Sequence, residues 1–167
     1  MIEIQPLIGV GPLRLGMSQV QVGAILGPPD SLCFPEQDDI FDEAQERAFY
    51  RGQIVEIRGR DQTMDLFDLT FENDRLVCIN LRGDSPRSSL GGMACNGDRM
   101  RLLDLLRVGD PAVYIRSDDY LFLTTGLCVS RAKNRKDMNY LRLYDLPFKQ
   151  RRLAFELYQP HTGALIP

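Results

Sequence analysis

Between residues 66 and 81 apolar and polar side chains alternate, and the alternation predicts a β-hairpin. Phe67, Leu69 and Phe71 fall on one face, and Asp68, Thr70 and Glu72 on the other. After an Asn73-Asp74 turn the chain returns with Val77, Ile79 and Leu81 on a single face. A period of two with one apolar set marks a half-buried antiparallel pair. Phe49–Arg58 reads as a preceding strand, with Ile54, Val55 and Ile57 as its apolar body and Gly52 as a bulge or turn. Further on, Tyr120–Leu123 and Leu127–Ser130 predict a second hairpin around Thr124-Thr125-Gly126. Tyr140–Tyr144 and Leu153–Tyr158 read as two more strands, joined by a turn over 145–152. Met1–Leu15, opening with alternating Ile2 and Ile4, is expected to be an irregular edge strand.

The period switches to that of a helix at residues 18–26. Ser18 followed three residues later by Gln21 makes a capping box, with Met17 and Val22 placed for a hydrophobic staple. Val22, Ile25 and Leu26 share a face, Gly27 suits the left-handed end of a helix, and Pro28 and Pro29 forbid its continuation. Such a helix is about 12 Å long and too short to be stable unless it lies on something. A second apolar run, Met100, Leu102, Leu103, Leu105 and Leu106, predicts a helix over 98–107, capped by Asp98 or Asn96 and ended by Gly109-Asp110-Pro111. Gly27 and Pro29 match Gly109 and Pro111 at one offset of 82 residues, and strand-like runs follow each pair. The expected fold class is therefore α+β, with two similar halves. Each is a short helical segment packed on one face of an antiparallel sheet, leaving the other sheet face available. The expected division is 1–84 for the first repeat, with an acidic loop at 31–47, 85–97 for a linker, 98–160 for the second repeat and 161–167 for a loose tail.

Composition narrows the class. The chain has 167 residues, 44% of them hydrophobic and 26% charged, a globular profile. No apolar run approaches the ~18–20 residues of a membrane span, and the N-terminus carries no signal-like pattern, so a cytoplasmic protein without a membrane partner is expected. Cys33, Cys78, Cys95 and Cys128 lie far apart and His161 is the only histidine, so neither a metal site nor a cofactor is expected. Cys78 and Cys128, inside strand-like runs, read as small buried hydrophobes.

Charge is unevenly placed. Residues 1–84 hold 15 acidic and 7 basic side chains, whereas the remainder holds 8 and 13. Glu36, Asp38, Asp39, Asp42, Glu43 and Glu46 crowd one segment around Ile40 and Phe41. It reads either as a solvated acidic turn or as a contact patch with an aromatic anchor. Arg131, Lys133, Arg135, Lys136, Lys149, Arg151 and Arg152 form a basic set on two turns, with Tyr140, Tyr144 and Phe148 between them. That combination suits single-strand binding in principle, but a solvated basic surface on a net acidic chain is the reading preferred. No residues stand at the spacing of a catalytic pair or a phosphate-binding loop, so no catalytic residue is assigned.

The opening Gly11-Pro-Leu-Arg-Leu-Gly-Met-Ser, then Val22, then Ile25-Leu26-Gly27-Pro28-Pro29, resembles that of the small barrel-assembly lipoproteins of the bacterial outer membrane. It is similar too to the tandem-repeat β-lactamase inhibitor proteins and to small cytoplasmic bacterial proteins, immunity proteins among them. The resemblance covers about 16 residues well and the repeat layout loosely. It implies helices packed on an antiparallel sheet, doubled in the inhibitor-like members. With no lipid-acceptor cysteine at the start and no short-loop disulfides, what it implies here is a non-enzymatic protein-binding inhibitor. The expected role is an immunity protein that occludes the basic active-site cleft of a cognate toxin through Glu36, Asp38, Asp39, Ile40, Phe41, Asp42, Glu43 and Glu46. The alternatives are an adaptor of another bacterial assembly, a small hydrolase or a single-stranded nucleic-acid binder.

Overall fold

The structure is a computed structural model that describes residues 2–29, 31–33, 45–57, 60–82, 88–95, 99–110, 112–116, 119–130, 140–153 and 158–165. Its elements, in chain order, begin with β1 (Ile2–Gln5), β2 (Gly9–Val10), β3 (Leu13–Arg14), α1 (Gln19–Leu26) and β4 (Ser31–Cys33). The long β5 (Gln45–Ile57) and β6 (Arg60–Glu72) follow, then β7 (Arg75–Arg82), β8 (Ser88–Leu90), β9 (Met93–Ala94) and α2 (Arg99–Gly109). The chain continues through β10 (Val113–Arg116), β11 (Asp119–Phe122), β12 (Leu127–Ser130), β13 (Tyr140–Tyr144), α3 (Leu146–Leu153) and β14 (Gln159–His161). The architecture is α+β and dominated by strand.

Two sheets result. The larger runs β14-β10-β11-β12-β13-β7-β6-β5-β4 and is antiparallel throughout. The smaller runs β3-β2-β1-β8-β9, with β1 antiparallel to β2 and parallel to β8. Both predicted hairpins are present. Asn73 and Asp74 have φ of +51° and +58°, the pair of left-handed residues that matches the twist of a two-residue hairpin, and Glu72 faces Arg75 across it. Gly126 closes the other hairpin at φ +67°. A Cβ there would meet the Tyr144 carbonyl oxygen at 2.7 Å, so only glycine fits.

Alternation decides which face of the large sheet is dry. Phe67, Leu69, Phe71, Ile79, Leu81, Leu127, Val129, Leu141 and Leu143 are all buried in one core with Tyr120 and Phe122. Ile4, Val10, Leu13 and Leu90 of the small sheet enter the same core, as do Val22 of α1 and Leu102, Leu103 and Leu106 of α2. The first helix starts as its sequence predicts. Ser18 Oγ accepts from the Gln21 N–H at 3.2 Å, and Gln21 Oε1 accepts from the Ser18 N–H at 2.9 Å. That start is stitched to β7: the Gly16 N–H donates to the Leu76 carbonyl, the Leu76 N–H to that of Met17, each at 2.8 Å, and the Gln19 N–H to Asp74 Oδ1 at 2.9 Å. Of the predicted apolar face, Val22 is buried and Leu26 packs against the core, while Ile25 is 41% exposed. An eight-residue helix touches the core along one row of residues spaced by four, Ser18-side to Leu26, and Ile25 lies off that row.

Several expectations need correction. β1 is the middle strand of the small sheet and not an edge, because β2 and β8 take its two sides. Residues 85–97, read as linker, contribute β8 and β9, since Ser88, Ser89 and Leu90 are buried against β1. The second helix runs to Gly109, two residues past its expected end; the candidate caps Asn96 and Asp98 lie outside the described residues. Residues 146–153 form α3 where a turn leading into a strand was expected. Pro147 sits in the first turn, where its missing N–H costs nothing, and the Lys149 N–H donates to the Asp145 carbonyl at 3.0 Å. Leu153 of α3 packs with Val77, Cys78, Leu121, Cys128 and Tyr144, the residues alternating onto the second sheet face, so that face is partly covered. The tail is tied down as well: His161 lies in β14, its ring 5.4 Å from that of Tyr120, and Leu165 is buried.

Burial ranks the helix positions. Leu106→Ala should cost about 2–5 kcal/mol, Leu26→Ala less, and Ile25→Ala within about 0.5 kcal/mol of zero, read from urea denaturation midpoints.

Candidate binding surfaces

Seven of the eight partner-binding positions expected from sequence, Glu36, Asp38, Asp39, Ile40, Phe41, Asp42 and Glu43, lie outside the described residues. The eighth, Glu46, lies in β5 opposite Phe71 of β6. The strands that bracket the segment are described. β4 and β5 pair antiparallel with Cys33 opposite Arg47, and β4 is the outermost strand of the large sheet. The acidic stretch is therefore the connection between the outermost strand and its neighbour, whose paired Cys33 and Arg47 stand about 5 Å apart.

A second surface was not anticipated. The β1–β2 turn, β8 and α2 enclose an open groove of about 410 Å³, lined by Ile4, Pro6, Ile8, Leu90, Leu105 and Leu106 among others. Leu7, Ile8 and Leu105 are 44%, 52% and 45% exposed. Leu7 holds φ +60°, a conformation disfavoured for a bulky side chain, and a Cβ at Gly126 would meet its Cδ2 at 2.9 Å. The turn is thus seated on the β11–β12 hairpin. Glu3 braces the wall opposite: its carboxylate accepts from Ser89 Oγ at 2.5 Å and from the Gly91 N–H at 2.9 Å. Below the groove the buried Asp110 carboxylate accepts from the Thr124 N–H, fixing the end of α2 to the same hairpin. The helical period carried a trace of this surface. Leu105 and Val108 fall off the row formed by Leu102, Leu103 and Leu106, and both emerge exposed.

The second face of the large sheet carries polar chemistry. Asp68, Asn80, Arg142 and Cys128 stand opposite one another across β6, β7, β13 and β12. Asn80 Nδ2 donates to Asp68 Oδ2 at 3.3 Å, and Arg142 Nη1 donates to Asp119 Oδ2 at 3.3 Å. Burial opposes the Arg142 charge, but Tyr144, Cys128 and Asp119 outweigh it and hold the guanidinium firmly protonated. Burial also raises the Tyr144 phenol well above its usual range. Lys149, expected on a solvated basic surface, is 1% exposed. Its Nζ lies 4.3 Å from the centroid of the Tyr144 ring and 4.5 Å from that of Tyr158, a two-sided cation–π clamp. The other basic-turn residues Arg131, Lys133, Arg135 and Lys136 lie outside the described residues, while Arg151 and Arg152 lie in α3.

Cys78 and Cys128 are buried as expected, and burial pushes both thiols up to about 12. They stand on strands that flank β13, opposite Tyr144 and Arg142 respectively, so at least about 10 Å separates them, too far for a disulfide. Burial raises the Cys95 thiol too, against a hydrogen bond with Ser88. Among the described residues no three His, Cys, Asp or Glu side chains are grouped to hold a metal ion. Set against protein families, curated proteins and solved structures, the chain matches none.

The thiols give a signed expectation. Above the ordinary thiol value of 9.0 the unfolded chain releases the Cys78 and Cys128 protons, while the folded chain keeps them until about pH 12. Stability should fall as pH rises through that window. In Cys78→Ala/Cys128→Ala the fall in melting temperature between pH 9 and pH 10.5 (roughly the lower half of the window) should be shallower than in the wild type. A thiol reagent at pH 8 should leave both cysteines unmodified in the native protein and label both in urea.

Proposed function

We propose that this chain is a non-enzymatic protein-binding inhibitor: a cytoplasmic immunity protein that neutralises a cognate bacterial toxin by covering its active site. The observation that supports the reading is the pairing of the two strands that bracket the acidic residues. Five of its six carboxylates, together with Ile40 and Phe41, lie between Cys33 and Gln45, whose strands are paired at the rim of the large sheet. A segment held at both ends by one ladder loses less freedom on binding than a free tail. Its charge suits a basic cleft that takes an anionic substrate, speeding encounter and setting orientation, while Phe41 and Ile40 supply apolar contact.

The same proposal includes a tandem of two similar α+β halves. The β2–β3 hairpin pairs Gly9 with Arg14 and Val10 with Leu13; the β8–β9 hairpin pairs Ser89 with Ala94 and Leu90 with Met93, a constant spacing of 80 residues. Gly11 and Gly91 share φ +56° at that spacing, α1 and α2 begin at Gln19 and Arg99, and Val22 and Leu102 are both buried. In the large sheet β4-β5-β6-β7 and β10-β11-β12-β13 are two four-stranded runs meeting at β7 and β13. Each observation supports one ancestral unit repeated. The second reading, an adaptor in another bacterial assembly, draws on the apolar groove beside α2.

Native pull-down should return one stoichiometric protein. Changing Asp38, Asp39 and Asp42 to Asn and Glu43 to Gln together should slow association with it and flatten the salt dependence, with melting temperature unchanged. Phe41→Ala should mainly raise the dissociation rate, by about 2 kcal/mol. A quadruple variant that binds like the wild type at low and high salt moves the interface to the groove.

A further inference from the structure

Helix α3 rests on its sheet through a lysine. Leu146 and Leu153 are partly buried, Pro147 and Gln150 are exposed, and Lys149 is 1% exposed. Among the described side chains of the helix, the charged one is thus the only one fully inside. Its Nζ lies between the rings of Tyr144 and Tyr158, 4.3 Å and 4.5 Å from their centroids. Eight residues do not make a helix that is stable by itself, so α3 persists only while it is docked. With two leucines only partly covered, the ammonium between the rings supplies the specific part of that docking.

What lies beneath can be uncovered without opening the main core. Val77, Cys78, Leu121, Cys128 and Tyr144 form a cluster of their own, against which Leu153 and Tyr158 pack. None of them belongs to the main core, because alternate residues of β7, β11, β12 and β13 point to opposite faces of the sheet. The chain is also pinned just before the helix. The Tyr144 N–H donates to the Gly126 carbonyl and the Asp145 N–H to that of Val77, each at 2.8 Å. β13 therefore stays in the sheet when α3 leaves it, and the pivot falls at Asp145. Segments with few buried apolar contacts are the ones that open below the cost of global unfolding.

We propose that α3 is a lid over the second face of the large sheet, hinged at Asp145 and latched by the Lys149 ammonium between Tyr144 and Tyr158. Closed, it keeps Cys78, Cys128 and Tyr144 out of water. Open, it bares both thiols and the faces of both rings, beside the guanidinium of Arg142, which stands opposite Cys128. The helices α1 and α2 and the core beneath them keep their places. The latch is a charge on a ring face, so an uncharged side chain of the same length does not replace it.

Hydrogen exchange of the full chain tests the lid, with the amides of α3 read apart from those of β7 and β13. In the wild type the α3 amides, that of Lys149 among them, should exchange faster and at a rate that low urea does not change. The amides of β7 and β13 should exchange only through an opening that urea promotes. Lys149→Met should speed exchange in α3 roughly tenfold and leave β7 and β13 protected. Tyr158→Leu should do the same, whereas Tyr158→Phe, which keeps the ring, should not. Lys149→Met combined with Tyr158→Leu should fall short of the sum, as for two sides of one contact. A pulse of thiol reagent at pH 8 that spares the wild type should label Cys128 in Lys149→Met. The proposal is overturned by α3 amides that exchange together with those of β7 and β13 at every urea concentration. It is overturned equally by a Lys149→Met variant that leaves α3 protected or that weakens all three elements alike.

Discussion

Everything else in the molecule hangs on the seam between β7 and β13. These strands come from distant parts of the chain and pair over five residues, Tyr140 with Arg82 through to Tyr144 with Cys78. The pairing fuses two four-stranded runs into one sheet and sets Ile79, Leu81, Leu141 and Leu143 side by side on one face. A one-residue slip would turn that whole row to the other face and bring Cys78, Asn80, Arg142 and Tyr144 into the core. The register is therefore specified by burial on one side and by paired polar groups on the other. Helices α1 and α2 and the small sheet then need only cover a surface that the seam has already made continuous.

Local signals carried the parts of this fold that local chemistry decides. The capping box of Ser18 and Gln21, the Asn73-Asp74 turn and the Gly126 turn need only neighbours in sequence, and each was readable there. What was hidden depends on distant partners. Ser88–Leu90 has the composition of a linker and becomes a strand because β1 offers it an edge. Leu146–Leu153 has no strong helical pattern and forms α3 because Lys149 finds the rings of Tyr144 on β13 and of Tyr158 just before β14. The acidic residues 36–43 were legible as composition, and the structure adds only where their bracketing strands lie. The groove beside α2 was half legible: Leu105 falls off the buried row, but nothing local said that Pro6 and Ile8 would line the same groove.

The polar second face shows how cations can be buried without being wasted. Lys149 loses water and gains two ring faces, while the half-buried Arg142 gains Asp119. An ammonium in such a clamp fixes the distance between α3 and the strands more sharply than a leucine could, since a charge tolerates few alternative seats. That is a reason for a lysine where a short helix with little apolar surface must dock in one place.

The parallel pairing of β1 with β8 bears on the order in which the chain acquires its shape. Ile2 meets Ser88, so β1 waits for a strand made much later. Until then β1 has only the β2–β3 hairpin beside it, and the small sheet lacks β8 and β9. Closing so wide a loop is entropically late and kinetically slow compared with the β6–β7 hairpin. The nascent first half is thus an unfinished lid over a finished hairpin, a state in which apolar surface is open for as long as translation of the next segment takes.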